Sequence, residues 1–235
     1  LGDALRFHQQ NETEIIRFGG ARPKRIRTLR QHLQGRHAWA IPMGGSSWVG
    51  TLGYVNAGLE LSAQIDAAEL EAPERIYVAL GTMGTVAGLA VGLALAERAV
   101  EIQAVRVTAE QISNECALHR LMHKTASMMH AVDPSVMSDI AARTNVIIRH
   151  EFLGGGYGHE TDEAEKAIAI ARDEFGLELD MTYTAKAMAA VLHDLDTGYD
   201  RPVLFWNTFS SRPMHIDREL EPDYSRVPDE FARYF

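Results

Sequence analysis

The sequence has little cysteine, little basic charge and no long apolar run. Cys116 is the single cysteine, so no disulfide can form within the chain, and a reducing compartment, the cytoplasm, is expected. Acidic residues outnumber basic ones, 32 to 23, which argues against a binder of nucleic-acid backbones. The longest apolar run, residues 86–96, contains two glycines and is about half the length that crosses a membrane. We therefore expect neither a nucleic-acid partner nor a membrane segment.

The remaining composition, 46% apolar and 23% charged, is that of a globular protein with a core. Apolar periodicity alternates between strands and helices along the chain. Strands are predicted at 13–18, 37–42, 75–80, 102–108, 145–149 and 202–206. Helices are predicted at 23–34, 44–71, after 81–85, across 110–143 with a break near 133–134, at 162–174 and at 182–195. This alternation predicts an α/β fold, a mostly parallel twisted sheet with helices on both faces.

The most informative segment is VALGTMGTVAGLAVGLALAE, residues 78–97. An apolar strand enters a Gly-Thr-Met-Gly-Thr loop in which a helix begins, and the first turn of a helix presents unpaired N–H groups and a positive dipole end. The loop therefore favours binding of a phosphate group, although a glycine-permitted turn without a ligand remains possible. No lysine follows the second glycine and no G-x-G-x-x-G is present, so common nucleotide motifs fit poorly. The glycines 84, 88 and 92 form a bare helix face suited to close packing.

Four ordered blocks of sequence extend this interpretation. They are IPMGGSSWVGTLGYVNAGLEL (41–61), LGTMGTVAGLAVGL (80–93), LGGGYG (153–158) and LDMTYTAKAMAAVL (179–192). In order and spacing they resemble the D-cysteine desulfhydrase and aminocyclopropane carboxylate deaminase family of fold-type II pyridoxal phosphate (PLP) enzymes. The resemblance implies a remnant of a small α/β domain at 1–45 and a large cofactor-binding domain at 46–235. It also implies a homodimer that acts on a small amino acid.

The resemblance assigns roles to particular residues. The phosphate of pyridoxal 5'-phosphate is expected at Gly81, Thr82, Met83, Gly84 and Thr85. Tyr157 matches a tyrosine on the substrate side, and Tyr183 matches one beside the cofactor ring, so these two are the candidate catalytic residues. Packing roles for both tyrosines remain open.

Two threonines are expected near the pyridine nitrogen of the cofactor. Thr184 stands where the deaminases of the family carry glutamate and the desulfhydrases carry threonine, which favours D-cysteine desulfhydrase-like β-elimination to pyruvate and ammonia. Thr208 matches a second threonine at the end of the last strand. Phe209-Ser210-Ser211 replaces the glycines that follow in the family, which leaves the shape of the pocket open.

The family's Schiff-base lysine has no match in the chain. The four lysines, Lys24, Lys124, Lys166 and Lys186, all lie in other contexts. We therefore expect an N-terminally truncated enzyme, inactive as it stands. The alternatives are a non-catalytic relative that binds PLP or another phosphorylated ligand, a fragment that needs a partner chain, or an unrelated nucleotide-dependent enzyme.

A metal site is not expected. His119, His123 and His130 share one predicted helix face, but no carboxylate accompanies them on that stripe. A polar surface or a subunit contact explains these histidines better.

Overall fold

The computed structural model describes residues 2–13, 34–35, 41–210, 212, 215–217 and 219. Contacts divide the chain into two compact units. The first consists of Leu1–Ala40 and Ser211–Phe235, and the second consists of Ile41–Ser210. The first unit contains helix α1, Gly2–Gln10, and there the Gln10 side chain accepts a hydrogen bond from the backbone N–H of Asp217 at 3.0 Å. The predicted elements at 13–18, 23–34 and 37–42 lie largely outside the described residues. The division at 45 and 46, with its small-domain remnant, stays a prediction.

The second unit is built on a four-stranded sheet. Its strands are β1 Arg75–Leu80, β2 Glu101–Arg106, β3 Val146–Arg149 and β4 Val203–Phe205. The spatial order is β3-β2-β1-β4, and every neighbouring pair is parallel. The predicted parallel sheet is thereby confirmed, with each of its four strands within a few residues of the predicted bounds.

Helices cover both faces of this sheet. They are α2 Trp48–Asp66, α3 Gly84–Leu95, α4 Glu115–Val132, α5 Asp162–Phe175 and α6 Thr184–Asp196. Side chains alternate along β1, so Ile76 and Val78 enter one core with α2, α3 and α4, whereas Tyr77 enters another with α5 and α6. None of the described helices is both long and apolar enough to traverse a bilayer.

Glycines let α2 and α3 pack in close contact. A Cβ at Gly88 would lie 2.4 Å from Tyr54 Cβ, and one at Gly92 would lie 2.3 Å from the carbonyl oxygen of Val55. The predicted bare face of α3 is therefore confirmed, and its partner is α2. This packing fixes the axis of α3, whose first turn begins the candidate site.

The helix predictions differ from the structure at two places. The helix predicted from 44 begins only at Trp48, because the Ser47 hydroxyl caps it by accepting from the Gly50 N–H at 3.1 Å. The region 110–143 breaks at Asp133 as predicted, since that residue precedes a proline and is extended. Its second part is only a 3₁₀ turn, Ile140–Arg143.

Candidate functional site

The described site lies at the carboxyl end of β1, between β1 and β4. The chain leaves β1 toward β2 on one side, while β4 pairs with β1 on the other, so the strand order reverses there. Open parallel sheets bind ligands in the crevice at such a switch point. A cavity of about 230 Å³ is found at this place, wholly within the second unit. Its lining residues are Gly44, Gly45, Ser46, Gly50, Tyr54, Ala79, Gly81, Thr82, Met83, Gly84, Thr85, Tyr183 and Thr208.

The predicted phosphate loop forms the floor of this cavity, because all of Gly81–Thr85 line it. Met83 adopts a left-handed conformation, φ 74°, immediately before α3 and supplies no capping side chain. The Gly84 N–H donates to Ser46 Oγ at 3.2 Å, and Ser46 in turn donates to Thr82 Oγ1 at 2.7 Å. Among the described residues, no side chain caps the remaining N–H groups in the first turn of α3.

These residues fit a phosphate group. The cavity wall combines first-turn amides with the hydroxyls of Ser46, Thr82 and Thr85, and a helix N-terminus favours an anion. Glycine is required on the facing turn, since a Cβ at Gly44 would lie 2.0 Å from Thr82 Oγ1. No charged side chain is among the described residues that line the cavity. An anion there would be held by backbone dipoles and hydroxyls rather than by lysine or arginine.

A buried hydroxyl pair orients the first peptide of the loop. Ser113, which is completely buried, donates to the carbonyl oxygen of Gly81, and Thr108 contacts both Ser113 Oγ and the same carbonyl, the latter at 3.3 Å. A trans peptide is planar, so fixing the Gly81 carbonyl also fixes the Thr82 N–H, which points the opposite way. Sequence analysis did not identify this pair.

Replacing Ser113 tests this orientation. We expect Ser113→Ala to weaken binding of pyridoxine 5'-phosphate about threefold to tenfold, the usual contribution of one hydrogen bond, while binding of pyridoxine is unchanged. These alcohols cannot form an imine with lysine, so calorimetric titration reports non-covalent binding alone. Ser127→Ala, on α4, is the control, because that hydroxyl contacts only His123 among the described residues. Equal losses for both ligands would contradict the assigned role.

The two predicted tyrosines are brought together. The hydroxyls of Tyr157 and Tyr183 lie 2.6 Å apart, and the rings meet edge to face with centroids 5.9 Å apart. Burial, the hydrogen bond to Tyr157 and the nearby Asp180 carboxylate raise the pKa of Tyr183 to about 12. Tyr183 is therefore a neutral phenol at ordinary pH, able to donate a hydrogen bond.

Asp180 fixes the start of α6 and with it Tyr183. Its carboxylate accepts from the N–H groups of Thr182 at 3.0 Å, Tyr183 at 2.8 Å and Thr184 at 3.1 Å. The Thr184 side chain is buried, and its hydroxyl donates to Asp180 Oδ1 at 2.8 Å. Thr184 lines none of the cavities described here, so its predicted place near the pyridine nitrogen stays a prediction. Asp180 was missed, although an aspartate just before an apolar helix is a recognised capping signal.

Two further cavities adjoin the first. One, of about 440 Å³, is lined by Met43, Gly44, Gly81, Thr82, Thr108, Ala109, Ile112, Tyr157 and Tyr183. The other, of about 430 Å³, is lined by Asp180, Tyr183, Thr208, Phe209 and Ser210. Thr208 faces two of the three cavities and Tyr183 faces all three. The residues predicted around a ring and its substrate therefore line three adjoining cavities, except for Thr184.

The described lysines lie elsewhere. Lys124 and Lys166 are exposed on α4 and α5. Lys186 is buried and donates to the carbonyl oxygens of Leu153 and Gly156. None of the three lines the cavities around Tyr183. Within the described ranges, no group of three or more histidine, cysteine or acidic residues is arranged to hold a metal.

The fold and this site define an open parallel α/β protein with a candidate anion-binding site at its switch point. Residues 4–208 match the family described as pyridoxal-phosphate dependent enzyme, and the chain belongs to that family. The predicted cofactor, pyridoxal 5'-phosphate, is confirmed as the cofactor of the family.

Similar proteins support the predicted resemblance. The chain is 32% identical over 181 residues to a D-cysteine desulfhydrase of Klebsiella pneumoniae and 31% identical over 178 residues to one of Salmonella paratyphi C. Each alignment covers 74% of this chain and 51% of the relative, so the chain spans about half the length of these proteins. The crystal structure of an ACC deaminase homologue matches with a TM-score of 0.63 and 24% identity, over 84% of this chain and 59% of the other. That likeness confirms the predicted fold.

Proposed function

We propose that the chain is the cofactor-binding part of a PLP-dependent lyase that acts on a small amino acid, with D-cysteine-type β-elimination as its reaction. The observation that carries the proposal is the cavity at the start of α3, where amides and hydroxyls from Gly81–Thr85 and Ser46 meet Tyr183, whose hydroxyl is hydrogen-bonded to that of Tyr157 in the adjoining cavity. The similarity to D-cysteine desulfhydrases and the threonine at position 184 favour desulfhydration over the deamination of a cyclopropane amino acid.

Different residues of this chain would contact the phosphate and the ring of the cofactor. Gly81, Thr82, Met83, Gly84 and Thr85 would hold the phosphate, and Thr208 would contact the ring side of the cavity. From the family resemblance, Thr184 is proposed to lie near the pyridine nitrogen; in this structure its hydroxyl donates to Asp180. Pyridoxal phosphate supplies, when bound, the electron sink that makes the α proton of an amino acid acidic.

The tyrosine pair would provide a hydrogen-bond donor on the substrate side of the site. Because its pKa is raised to about 12, Tyr183 keeps its proton at neutral pH, so its hydroxyl would donate a hydrogen bond rather than act as a base. Tyr157, whose ring is exposed to the larger cavity, would hold that hydroxyl in place. The described lysines do not reach the cavities, so the lysine that links the cofactor would come from another segment.

The reaction is tested with a protein in which this chain is extended to the length of its relatives and loaded with PLP. We expect D-cysteine and water to yield pyruvate, ammonia and sulfide in equal amounts, while 1-aminocyclopropane-1-carboxylate yields little 2-oxobutanoate. The 235-residue chain alone should show neither activity. Turnover of the cyclopropane substrate above that of D-cysteine would overturn the assigned reaction, and PLP binding without turnover of either substrate would favour the non-catalytic alternative.

The cellular setting is part of the same proposal. A homodimer in the cytoplasm is expected from the family resemblance and from the single cysteine. Sedimentation of the extended protein at micromolar concentration gives its oligomeric state directly.

A further inference from the structure

Lys186 is a buried cation that the proposed chemistry does not use. It lies on α6 three residues after Tyr183, and its side chain has no exposed surface. Its ammonium donates to the carbonyl oxygen of Leu153 at 2.7 Å and to that of Gly156 at 3.3 Å. No carboxylate pairs with it among the described residues, and burial lowers its pKa. Burial of an ammonium without a counter-ion is costly, so its bonds to the two carbonyls are the compensation.

The two carbonyls belong to the glycine turn, which we define as residues 153–158. Gly154 and Gly156 have φ values of 65° and 137°, which few other residues adopt. A turn so rich in glycine has many accessible conformations and little side-chain packing of its own. Hydrogen bonds from outside the turn therefore help to order it, and Lys186 on α6 donates two of them.

Tyr157 is carried by this turn and directly follows Gly156, one of the two anchored residues. Its ring is 57% exposed, and its hydroxyl makes one hydrogen bond within the described part of the chain, to Tyr183. Tyr183 lies one helical turn before Lys186, so the lysine joins the turn that carries one phenol to the helix that carries the other.

We infer that Lys186 is a positioning residue, which holds the Tyr157 hydroxyl against Tyr183 by anchoring the carbonyls of Leu153 and Gly156. Its functional meaning rests on the proposed function, because the tyrosine pair faces the proposed substrate cavity. The geometric claim does not need the cofactor, and it is tested on the protein without one. Failure of this inference is thereby distinguished from failure of the proposed function.

The test is an NMR titration of the tyrosines, labelled at the Cζ carbon, in Lys186→Met, which keeps the length of the side chain and removes its donor. The hydrogen bond between the two hydroxyls, with Tyr183 as the donor, helps to keep Tyr183 protonated. In the parent protein the Tyr183 resonance, assigned with Tyr183→Phe, should move only at a higher pH than that of an ordinary tyrosine, whose pKa is about 10. In Lys186→Met it should begin to move at least half a pH unit lower. Tyr157→Phe should give the same displacement, and the double variant no more than either single one.

Two outcomes overturn the inference. In the first, the Tyr183 resonance of Lys186→Met moves at the same pH as in the parent protein, while that of Tyr157→Phe moves at a lower pH. In the second, the downward pH displacements of the two single variants add in the double variant. If Lys186→Met fails to fold, the parent protein decides the question through exchange of the ammonium protons, observed at the lysine Nζ. Protons on Lys186 should exchange at least tenfold more slowly than those on exposed Lys166, and equal rates would contradict the anchoring.

Discussion

Thr85→Asp should abolish binding of pyridoxine 5'-phosphate while leaving the protein at least as stable as before. Thr85 is the second residue of α3 and lines the proposed phosphate seat. A carboxylate there would repel the phosphate at short range, by about 4 kcal/mol at an effective dielectric constant near 20. We expect the dissociation constant to rise at least about a hundredfold. The same carboxylate lies at a helix N-terminus, where it adds about 0.3–1 kcal/mol to the free energy of unfolding.

The opposite signs of these two effects make the experiment specific. Thr85→Asn is the matched control, since it is similar in size but neutral, and it should weaken binding no more than about tenfold. Calorimetry gives both affinities, and urea denaturation gives both stabilities. Equal affinities for Thr85→Asp and Thr85→Asn would show that the ligand phosphate does not lie at this helix start.

Asp194→Asn should lower the free energy of unfolding by about 3–5 kcal/mol, the usual cost of breaking a buried ion pair. Asp194 is 8% exposed and lies on α6, on the side of the sheet that α5 and α6 cover. Arg149 donates to its two oxygens at 2.9 and 3.0 Å, and the Tyr77 hydroxyl donates at 2.6 Å. Loss of the carboxylate charge would leave the largely buried Arg149 guanidinium with the more exposed Glu151 carboxylate as its remaining ion-pair partner among the described residues.

The exposed Asp196 on the same helix provides the control, and Asp196→Asn should change stability by no more than about 0.5 kcal/mol. Both free energies are measured by urea denaturation at pH 7. A loss below about 1 kcal/mol for Asp194→Asn would show that the cluster contributes little.

The same carboxyl group makes stability depend on pH. Burial opposes its ionisation, but the hydrogen bonds from Arg149 and Tyr77 prevail, so the pKa of Asp194 is lowered. Its contribution is present above the unfolded-state pKa of about 3.9 and is lost as the pH falls through the lower folded-state pKa. The parent protein should therefore lose stability below about pH 4 more steeply than Asp194→Asn does.

The sequence was most informative where structure is local. The loop of Gly81–Thr85 could be predicted because one short segment contains the strand end, the glycines, the threonines and the helix start. The close packing of Gly88 and Gly92 followed from their four-residue spacing, although their partner, α2, did not. The break at Asp133 followed from the proline after it.

Contacts between distant segments could not be predicted from the sequence. Ser46 reaches Thr82 and Gly84 from a different turn of the chain, and Ser113 reaches Gly81 across 32 residues. Both are single hydroxyls without a surrounding motif, so only tertiary packing shows their role. Asp180 is the exception, since its position before a helix is a local signal.

Thr184 shows how a family position and a physical contact can differ. The resemblance implies that Thr184 lies near the cofactor ring. In the structure, the Thr184 hydroxyl donates a hydrogen bond to the Asp180 carboxylate at the start of α6. The residue type alone does not predict the hydrogen-bond partner of a hydroxyl. A hydroxyl can donate or accept, and the surrounding geometry decides which group it contacts.

The backbone amide spectrum of the isotopically labelled chain, titrated with pyridoxine 5'-phosphate, shows directly whether the phosphate group binds at the start of α3. The largest shifts should fall on the amides of residues 82–85, and pyridoxine without its phosphate should move them far less. Shifts of similar size for both ligands, or shifts that leave this strand-to-helix junction unmoved, would contradict the claim that the phosphate group lies there.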